Sequence, residues 1–496
     1  MKYYKFINGD LDLWEYILYR PLQMIRPEIF LFTILVLTFA LPRYYNNFSY
    51  AATGARTATI QPSEGPTIND PNLKVEVVSK GLKFPTSMAF LGPNDILVLE
   101  KNNGTVQRIV NGVMLPKPLL DVNVATLNDR GMLGIAVAKN NNDRPTYVFL
   151  YFTESQTKDG EDVSKNIGRR ESKEPLGNRL YRYELVDNKL LNPKLLLDIR
   201  AKADTLDLAV HNGGKVLIGP DENVYIVIGD IGGHKSLAEN FFNKGPANGT
   251  SVIFKISQNG EAVGNILGDK EPINKYYAYG IRNSFGIDFD PVTKNLWDTE
   301  NGPGYGDEIN LVFPGFNSGW SKVQGIWKPA SNYYTAGNIA LQPDNLVNFG
   351  GKGKYSSPEF TWYNTVGPTA IKFLNSDKLG KQYQNDIFVG DFNNGNLYHF
   401  DLVHNRTALA LNGSLADKVA NNTSELQKGG VIFGQGFGGI MDIKVGPDGY
   451  LYILSVHKSI VGGSDCDPKF PNTPCIPYNS SAVGGVIYRI VPENIN

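Results

Sequence analysis

Cysteine and histidine are scarce in this chain: two and five respectively in 496 residues. Two cysteines, Cys466 and Cys475, cannot complete a four-ligand zinc site alone. They lie in GGSDCDPKFPNTPCIPYN, a stretch rich in Pro, Asp and Asn. In an oxidising compartment they are expected to close a short loop as a disulfide; otherwise they are two separate thiols. Excess charge of one sign is also lacking. A formal net charge of −1 gives no basic surplus to neutralise a phosphate backbone, which argues against a nucleic-acid partner. No nicotinamide-binding fingerprint follows a strand.

Long hydrophobic runs are missing as well. Ile29 to Leu41 reads IFLFTILVLTFAL, 13 residues ended by Pro42. That length suits a signal-peptide core and is short for a membrane span. Ser49, Tyr50 and Ala51 then offer small residues at a spacing a signal peptidase uses. Against cleavage, the preceding arm is long, and its charges balance: Lys2, Lys5, Arg20 and Arg26 against Asp10, Asp12, Glu15 and Glu28. Residues 1–51 are therefore expected to form a signal peptide or a membrane anchor. Either one places the remainder outside the cytoplasmic membrane, secreted or anchored at its outer face. Sequons at Asn103, Asn248, Asn405, Asn412, Asn421 and Asn479 are compatible with that location.

What is abundant is glycine, 52 residues, and proline, 29, beside 11% aromatics. This is the profile of many short strands and tight turns. Residues 52–72 read as a linker. From Leu73 onward one unit recurs: an apolar strand, a turn and a second apolar strand. The six copies are Met88 to Glu100, Leu133 to Phe152, Val216 to Asp230, Gly286 to Glu300, Ala370 to Asp391 and Met441 to Ser455. A third strand follows each, from Gly104, Gly177, Thr250, Gly306, Gly395 and Gly484. Near-continuous apolar strands are those buried on both faces. Copies begin 45 to 84 residues apart, so loops must be inserted into a compact propeller repeat. Radial repetition fits better than a sandwich or a solenoid. The expected fold is an all-β, six-bladed β-propeller with four-stranded blades over residues 73–496. The strand Leu73 to Leu82 would pair with the last blade and close the ring.

Propeller loops gather at the mouth of the channel, and three segments there could carry chemistry. In AVHNGGKVLIG, His211 stands just before an inner strand and could act as a general base; a loop histidine satisfied by its neighbours is the plainer alternative. Asp230, ending the next strand, could orient that imidazole or simply terminate the strand. In YGIRNSFGIDFDP, Arg282 and Asn283 could hold an anionic or carbonyl-bearing ligand, or Arg282 could pair with a nearby carboxylate. DTENGPGYGDEINLV brings together Asp298, Glu300, Asp307 and Glu308 with carbonyls of a Gly/Pro loop. Such hard oxygen donors suit Ca²⁺, though the spacing is not that of an EF-hand and an ordinary acidic turn would look similar.

In order along the chain, GMLGIAV, HNGGKVLIG, YGIRN, ENGPGYGDEIN with FNSGW behind it, and DIKVGPDGYLYIL with VIYRI resemble one family. It is that of the soluble quinoprotein glucose dehydrogenases and aldose sugar dehydrogenases, also described as glucose/sorbosone dehydrogenases. The resemblance spans about Leu73 to Val491. It implies a six-bladed propeller holding pyrroloquinoline quinone (PQQ) and calcium at the top of the channel. His211 matches the general base, and Asp230 an aspartate near it. Arg282 and Asn283 match residues lining the quinone pocket. Gly302 and Pro303 match the pair whose carbonyls hold the cofactor's calcium. Asp307 and Glu308 match the acidic pair beside it, Glu308 being linked to a second calcium. The chain departs from the pattern where Phe285 replaces a glutamine and where Asn393 and Asn394 stand in place of a basic pair. Gly439 and Met441 stand where two arginines are usual. Those cations normally balance the PQQ carboxylates.

Two functions follow as expectations. The first is PQQ- and calcium-dependent oxidation of an aldose sugar, with electrons leaving to an external acceptor. The alternative is a non-catalytic, calcium-stabilised propeller binding a glycan or cell-surface partner, with Trp320, Trp327, Tyr333, Tyr334 and Trp362 as ring surfaces for sugars. A calcium-dependent lactonase-type hydrolase is compatible with the acidic loop alone.

Overall fold

The computed structural model describes residues 65–139, 145–156, 175–202, 209–233, 235–242, 245–326, 345–457 and 484–493. The N-terminal arm, both cysteines, Asn479, Trp327, Tyr333 and Tyr334 lie outside these residues.

All six anticipated hairpins form. Their inner strands are Pro85–Gly92, Met132–Ala138, Val216–Ile218, Ser284–Phe289, Pro368–Phe373 and Gly439–Val445. Each pairs antiparallel with the strand that follows it: Asp95–Glu100, Tyr147–Glu154, Val224–Ile228, Leu296–Glu300, Ile387–Asp391 and Leu451–Val456. The third strands then add to the outer side of each pair. Among the described residues the result is six sheets. Each inner strand lies against the inner strand of the next sheet, and Gly439–Val445 lies against Pro85–Gly92. The sheets thus close into an all-β propeller.

Why the strands are apolar on both faces is visible between the sheets. In DILVLE, Ile96 and Val98 pack towards Tyr452, Leu454 and Ile487 of the last sheet. Leu97 and Leu99 point the other way, onto Ile135, Val148 and Leu150 of the second. The same division recurs around the ring. Tyr225, Val227 and Ile253 meet Ile287, Leu296 and Val312, while Phe388 and Leu397 meet Ile440, Ile443 and Leu451. Each face of a strand therefore joins a different core, and burial supplies most of the driving force. Backbones also approach closely. A Cβ on Gly134 would stand 1.7 Å from the Gly214 carbonyl oxygen, so the inner strands of the second and third sheets can meet only at glycine.

The closing strand is Leu73–Lys83, in antiparallel register with Gly484–Pro492. Two expectations need correction. The supposed linker, residues 52–72, contains the strand Thr67–Ile68, which pairs with Gln435 and Gly434 at the edge of the fifth sheet. The sheets are also not uniformly four-stranded. The second and last have four strands, whereas the others carry short additions such as Phe316–Asn317, Lys354–Tyr355 and Val419–Ala420. These additions come from the long connections, where two-residue strands leave no periodicity to read.

Leu82 is 1% exposed and packs with Met88, Val98 and Ile487 across the closure. Leu82→Ala should cost about 3 kcal/mol in urea unfolding. A loss below about 0.5 kcal/mol would show that ring closure does not depend on this strand's core contacts.

Candidate functional site

Each inner strand begins, and its partner ends, on the same side of the ring, so the intervening connections form one rim. His211 lies there before Val216–Ile218. Its backbone N–H donates to Asp129 Oδ2 at 2.7 Å, and its φ of 62° is left-handed. The loop before Met132–Ala138 thus fixes an unusual backbone at the histidine. A short contact joins His211 Nδ1 to Asp230 Oδ1. The other Asp230 oxygen accepts from Trp320 Nε1 at 2.9 Å, and the Asp230 backbone N–H donates to the Arg282 carbonyl at 3.0 Å. Asp230 is 2% exposed. Burial alone would raise its pKa, but the charge and hydrogen bond of His211, then Arg282 and Trp320, hold it below the usual carboxylate value.

Arg282 connects this histidine to the acidic segment. Its Nη1 donates to the carbonyls of Asn301 and Gly302 at 2.7 and 2.9 Å, and its guanidinium lies 5.2 Å from the Trp320 ring centre. The Arg282 backbone N–H donates to Glu300 Oε1 at 2.6 Å, and the Asn283 carbonyl accepts from the Asn301 N–H. Gly302 sits where the loop folds back, since a Cβ there would stand 1.9 Å from the Tyr305 carbonyl oxygen.

The four acidic residues divide into two groups. Asp307 accepts the backbone N–H groups of Gly302, Val366 and Gly367 at 2.7, 2.7 and 2.8 Å, tying the Gly/Pro loop to the fifth sheet. Asp298, Glu300 and Glu308 are all buried together on the fourth sheet. Ser318 Oγ donates to Glu300 and lies within 3.3 Å of Glu308. Burial dominates in raising these groups: Asp307 to about 6, Asp298 to about 7 and Glu308 to about 8, with Glu300 well above its ordinary value. Among the described residues, neither oxygen of Asp298 makes a well-formed hydrogen bond, with only Asn310 and Ser284 close to it, and Asn283 Oδ1, Asn301 Oδ1 and Gln324 Oε1 are likewise buried and unsatisfied. A group of orphaned acceptor oxygens beside buried carboxylates fits a hard cation with oxygen ligands. The Gly302 carbonyl, expected to face calcium, faces the Arg282 guanidinium; its second lone pair is the one left for a metal.

Sequence reasoning missed Asp129 and Glu239 and did not see the role of Trp320. Asp129 holds the His211 backbone, Trp320, read from the sequence only as a ring for sugars, holds Asp230, and Glu239 is buried beside them with Ser321 N–H on its carbonyl and Ser236 N–H on its carboxyl. Two basic residues were also overlooked: Lys101, just past Asp95–Glu100, and Arg130, next to Asp129. Both are buried at the rim, and Lys101 Nζ donates to the Thr126 carbonyl at 3.2 Å. Trp362, by contrast, is 1% exposed in the core between the fourth and fifth sheets, so it offers no face to a sugar.

Burial, and then the nearby charge of Asp230, push Glu239 up to about 9. A raised carboxyl contributes stability that is complete below its unfolded value and lost as pH climbs through the folded one. Urea unfolding from about pH 5 to 9 should therefore show falling stability, and Glu239→Gln should flatten the fall by roughly 1 kcal/mol per pH unit. An identical slope in the variant would contradict a neutral Glu239.

Comparison with known proteins places the chain in a family. Residues 82–460 match the family model described as Glucose / Sorbosone dehydrogenase. The aldose sugar dehydrogenase YliI of Escherichia coli (strain K12) is 24% identical over 395 residues, 78% of this chain and 91% of that protein. Quinoprotein glucose dehydrogenase B of Acinetobacter calcoaceticus is 25% identical over 346 residues, 64% of this chain and 68% of its own. Among solved structures, the soluble aldose sugar dehydrogenase of Escherichia coli in its apo form superposes with a TM-score of 0.58 at 20% identity, covering 85% of this chain and 100% of that one. The PQQ-bound aldose sugar dehydrogenase of Streptomyces coelicolor gives 0.54 at 19%, covering 86% and 100%. The chain belongs to the glucose/sorbosone dehydrogenase family, whose members are quinoprotein sugar dehydrogenases.

Proposed function

We propose that this protein is a six-bladed propeller, one blade per sheet, that oxidises an aldose sugar with PQQ and calcium and passes the electrons to an external acceptor. The observation that carries this reading is the fixing of His211 by Asp129 and Asp230, with Trp320 and the Arg282 carbonyl holding Asp230 in turn. With Nδ1 engaged by Asp230, Nε2 is the nitrogen left to take a hydroxyl proton. Asp230, kept anionic, favours the imidazolium that results, and Trp320 and the Arg282 carbonyl keep Asp230 in place.

PQQ with calcium, when bound, supplies the two-electron acceptor that a sugar C–H donor requires. Arg282 and Asn283 would line its pocket. Gly302 and Pro303 would offer carbonyls to calcium, with Asp307 bracing the loop and Glu308 beside it at a second ion. With no arginine at Gly439 or Met441, the basic side chains that would have to balance the PQQ carboxylates are those nearest this rim, Arg282 first and then Arg130 and Lys101, both buried there. The site would work outside the cytoplasmic membrane, in keeping with the apolar run at 29–41. Among the described residues no helix is long and apolar enough to cross a membrane.

Aldose-dependent dye reduction by purified protein supplied with PQQ and Ca²⁺ tests the reading. His211→Ala should lower turnover by about a hundredfold or more while leaving the fold intact by circular dichroism. Absence of turnover in the unmodified protein, with glycan binding retained, would favour the non-catalytic alternative. Undiminished turnover in the variant would remove His211 as the base.

A further inference from the structure

On the side of the propeller away from this rim, the fifth sheet brings together a second group of chemistry-bearing residues. Asp386 immediately precedes Ile387–Asp391, His399 lies in Leu397–Phe400, and Asp401 follows it. Ile387 pairs with Phe400 and Phe388 with His399, so the two aspartates stand at the next positions outward on adjacent antiparallel strands. Like charges across such a pair repel. Among the described residues, no lysine or arginine forms an ion pair with either aspartate; their partner is His399. Arg406 reaches the same region through the Asn385 carbonyl, but its Nε is committed to Asp290 at 2.7 Å. Even with a protonated imidazole the group carries net negative charge.

The imidazole is fixed in orientation. The rings of Tyr383, Phe388 and Phe433 surround it with centroids 5.1, 5.0 and 6.0 Å away. Tyr383 is itself anchored, its hydroxyl donating to Asp70 Oδ2 at 2.8 Å. Nε2 lies 3.0 Å from Asp386 Oδ2 and 3.5 Å from Asp401 Oδ1, and one ligand atom from each residue falls within 4.8 Å of the others. Ligand atoms about 2.0–2.2 Å from a tetrahedral ion stand about 3.3–3.6 Å apart. The Asp401 separation is long for a hydrogen bond and suits a shared ion. The Asp386 and His399 side chains are 13% and 16% exposed, whereas Asp401 is 65% exposed, which leaves water access to the remaining coordination positions.

We propose that Asp386, His399 and Asp401 bind a divalent transition-metal ion of the zinc class, clamping the second and third strands of the fifth sheet. One imidazole nitrogen with two carboxylates selects such an ion over calcium, which prefers a larger all-oxygen shell. The site shares no residue with the rim, so it stands or falls independently of the proposed activity.

The test uses the full chain stripped with a chelator. Co²⁺ titration followed by its d–d absorption, with Zn²⁺ in competition, should give one saturable site, and Zn²⁺ should raise the melting temperature. His399→Gln and the exposed Asp401→Asn should each weaken binding by at least about tenfold and abolish the thermal shift. Asp401→Asn, at an exposed position, guards against a variant that merely fails to fold. Saturation only above about 1 mM, or binding unchanged in both variants, overturns the proposal.

Discussion

The pairing of Leu73–Lys83 with Gly484–Pro492 is the constraint on which the rest of the molecule depends. It joins the two ends of the propeller within one sheet, and that sheet is then packed against the first and the fifth. Closure allows the second strands, such as Asp95–Glu100, Val224–Ile228 and Leu451–Val456, to bury both faces without leaving a long exposed sheet edge inside the ring. It also fixes the inner-strand ends relative to one another. A histidine from the second–third connection, an aspartate ending a strand of the third sheet and an arginine entering the fourth can then meet within hydrogen-bonding distance. His211 and Asp230 flank the two strands of one hairpin, whereas Arg282 comes from the next sheet and reaches them only when the sheets pack.

The rim combines opposed electrostatic environments. Asp230 is buried yet keeps its charge because His211, Arg282 and Trp320 all favour the anion. A short distance away Glu239, Asp298 and Glu308 are raised by burial with too little compensation. Carboxyls whose environments drive them apart are the usual means of assigning distinct roles to one residue type. Here the charged one orients the imidazole. The uncompensated ones, with the unsatisfied oxygens of Asp298, Asn283 and Asn301, form the part of the site that a hard cation would complete.

Much of the fold was legible in the sequence because two signals coincide in each unit. Strands buried on both faces read as continuous apolar runs, as in DILVLE and VYIVI, and Gly/Pro/Asp turns punctuate them. The closing strand was legible from its own β-rich run LKVEVVSKGL, although much of it lies half-exposed at the sheet edge. Thr67–Ile68 and the short parallel additions were not, since two residues carry no period and their partners lie far along the chain. At the site, His211, Asp230 and Arg282 could be picked out because they abut inner strands. Asp129 and Glu239 could not, nor could the bond from Trp320 to Asp230: the three residues arrive from connections whose position is set only when the sheets pack. The segment Asp298 to Glu308 read as one acidic loop, yet strand alternation and the turn send Asp307 to cap backbone N–H groups while the other three carboxylates cluster.

The central claim is that this rim is built to hold PQQ although several expected cations are absent. Equilibrium binding of PQQ to the full chain with Ca²⁺ present, followed by the cofactor's absorbance, tests it most directly. The account predicts saturable one-to-one binding that requires Ca²⁺ and is weakened at least about tenfold by Arg282→Ala. Failure to bind PQQ with Ca²⁺ present, or binding indifferent to both Ca²⁺ and Arg282, would contradict it.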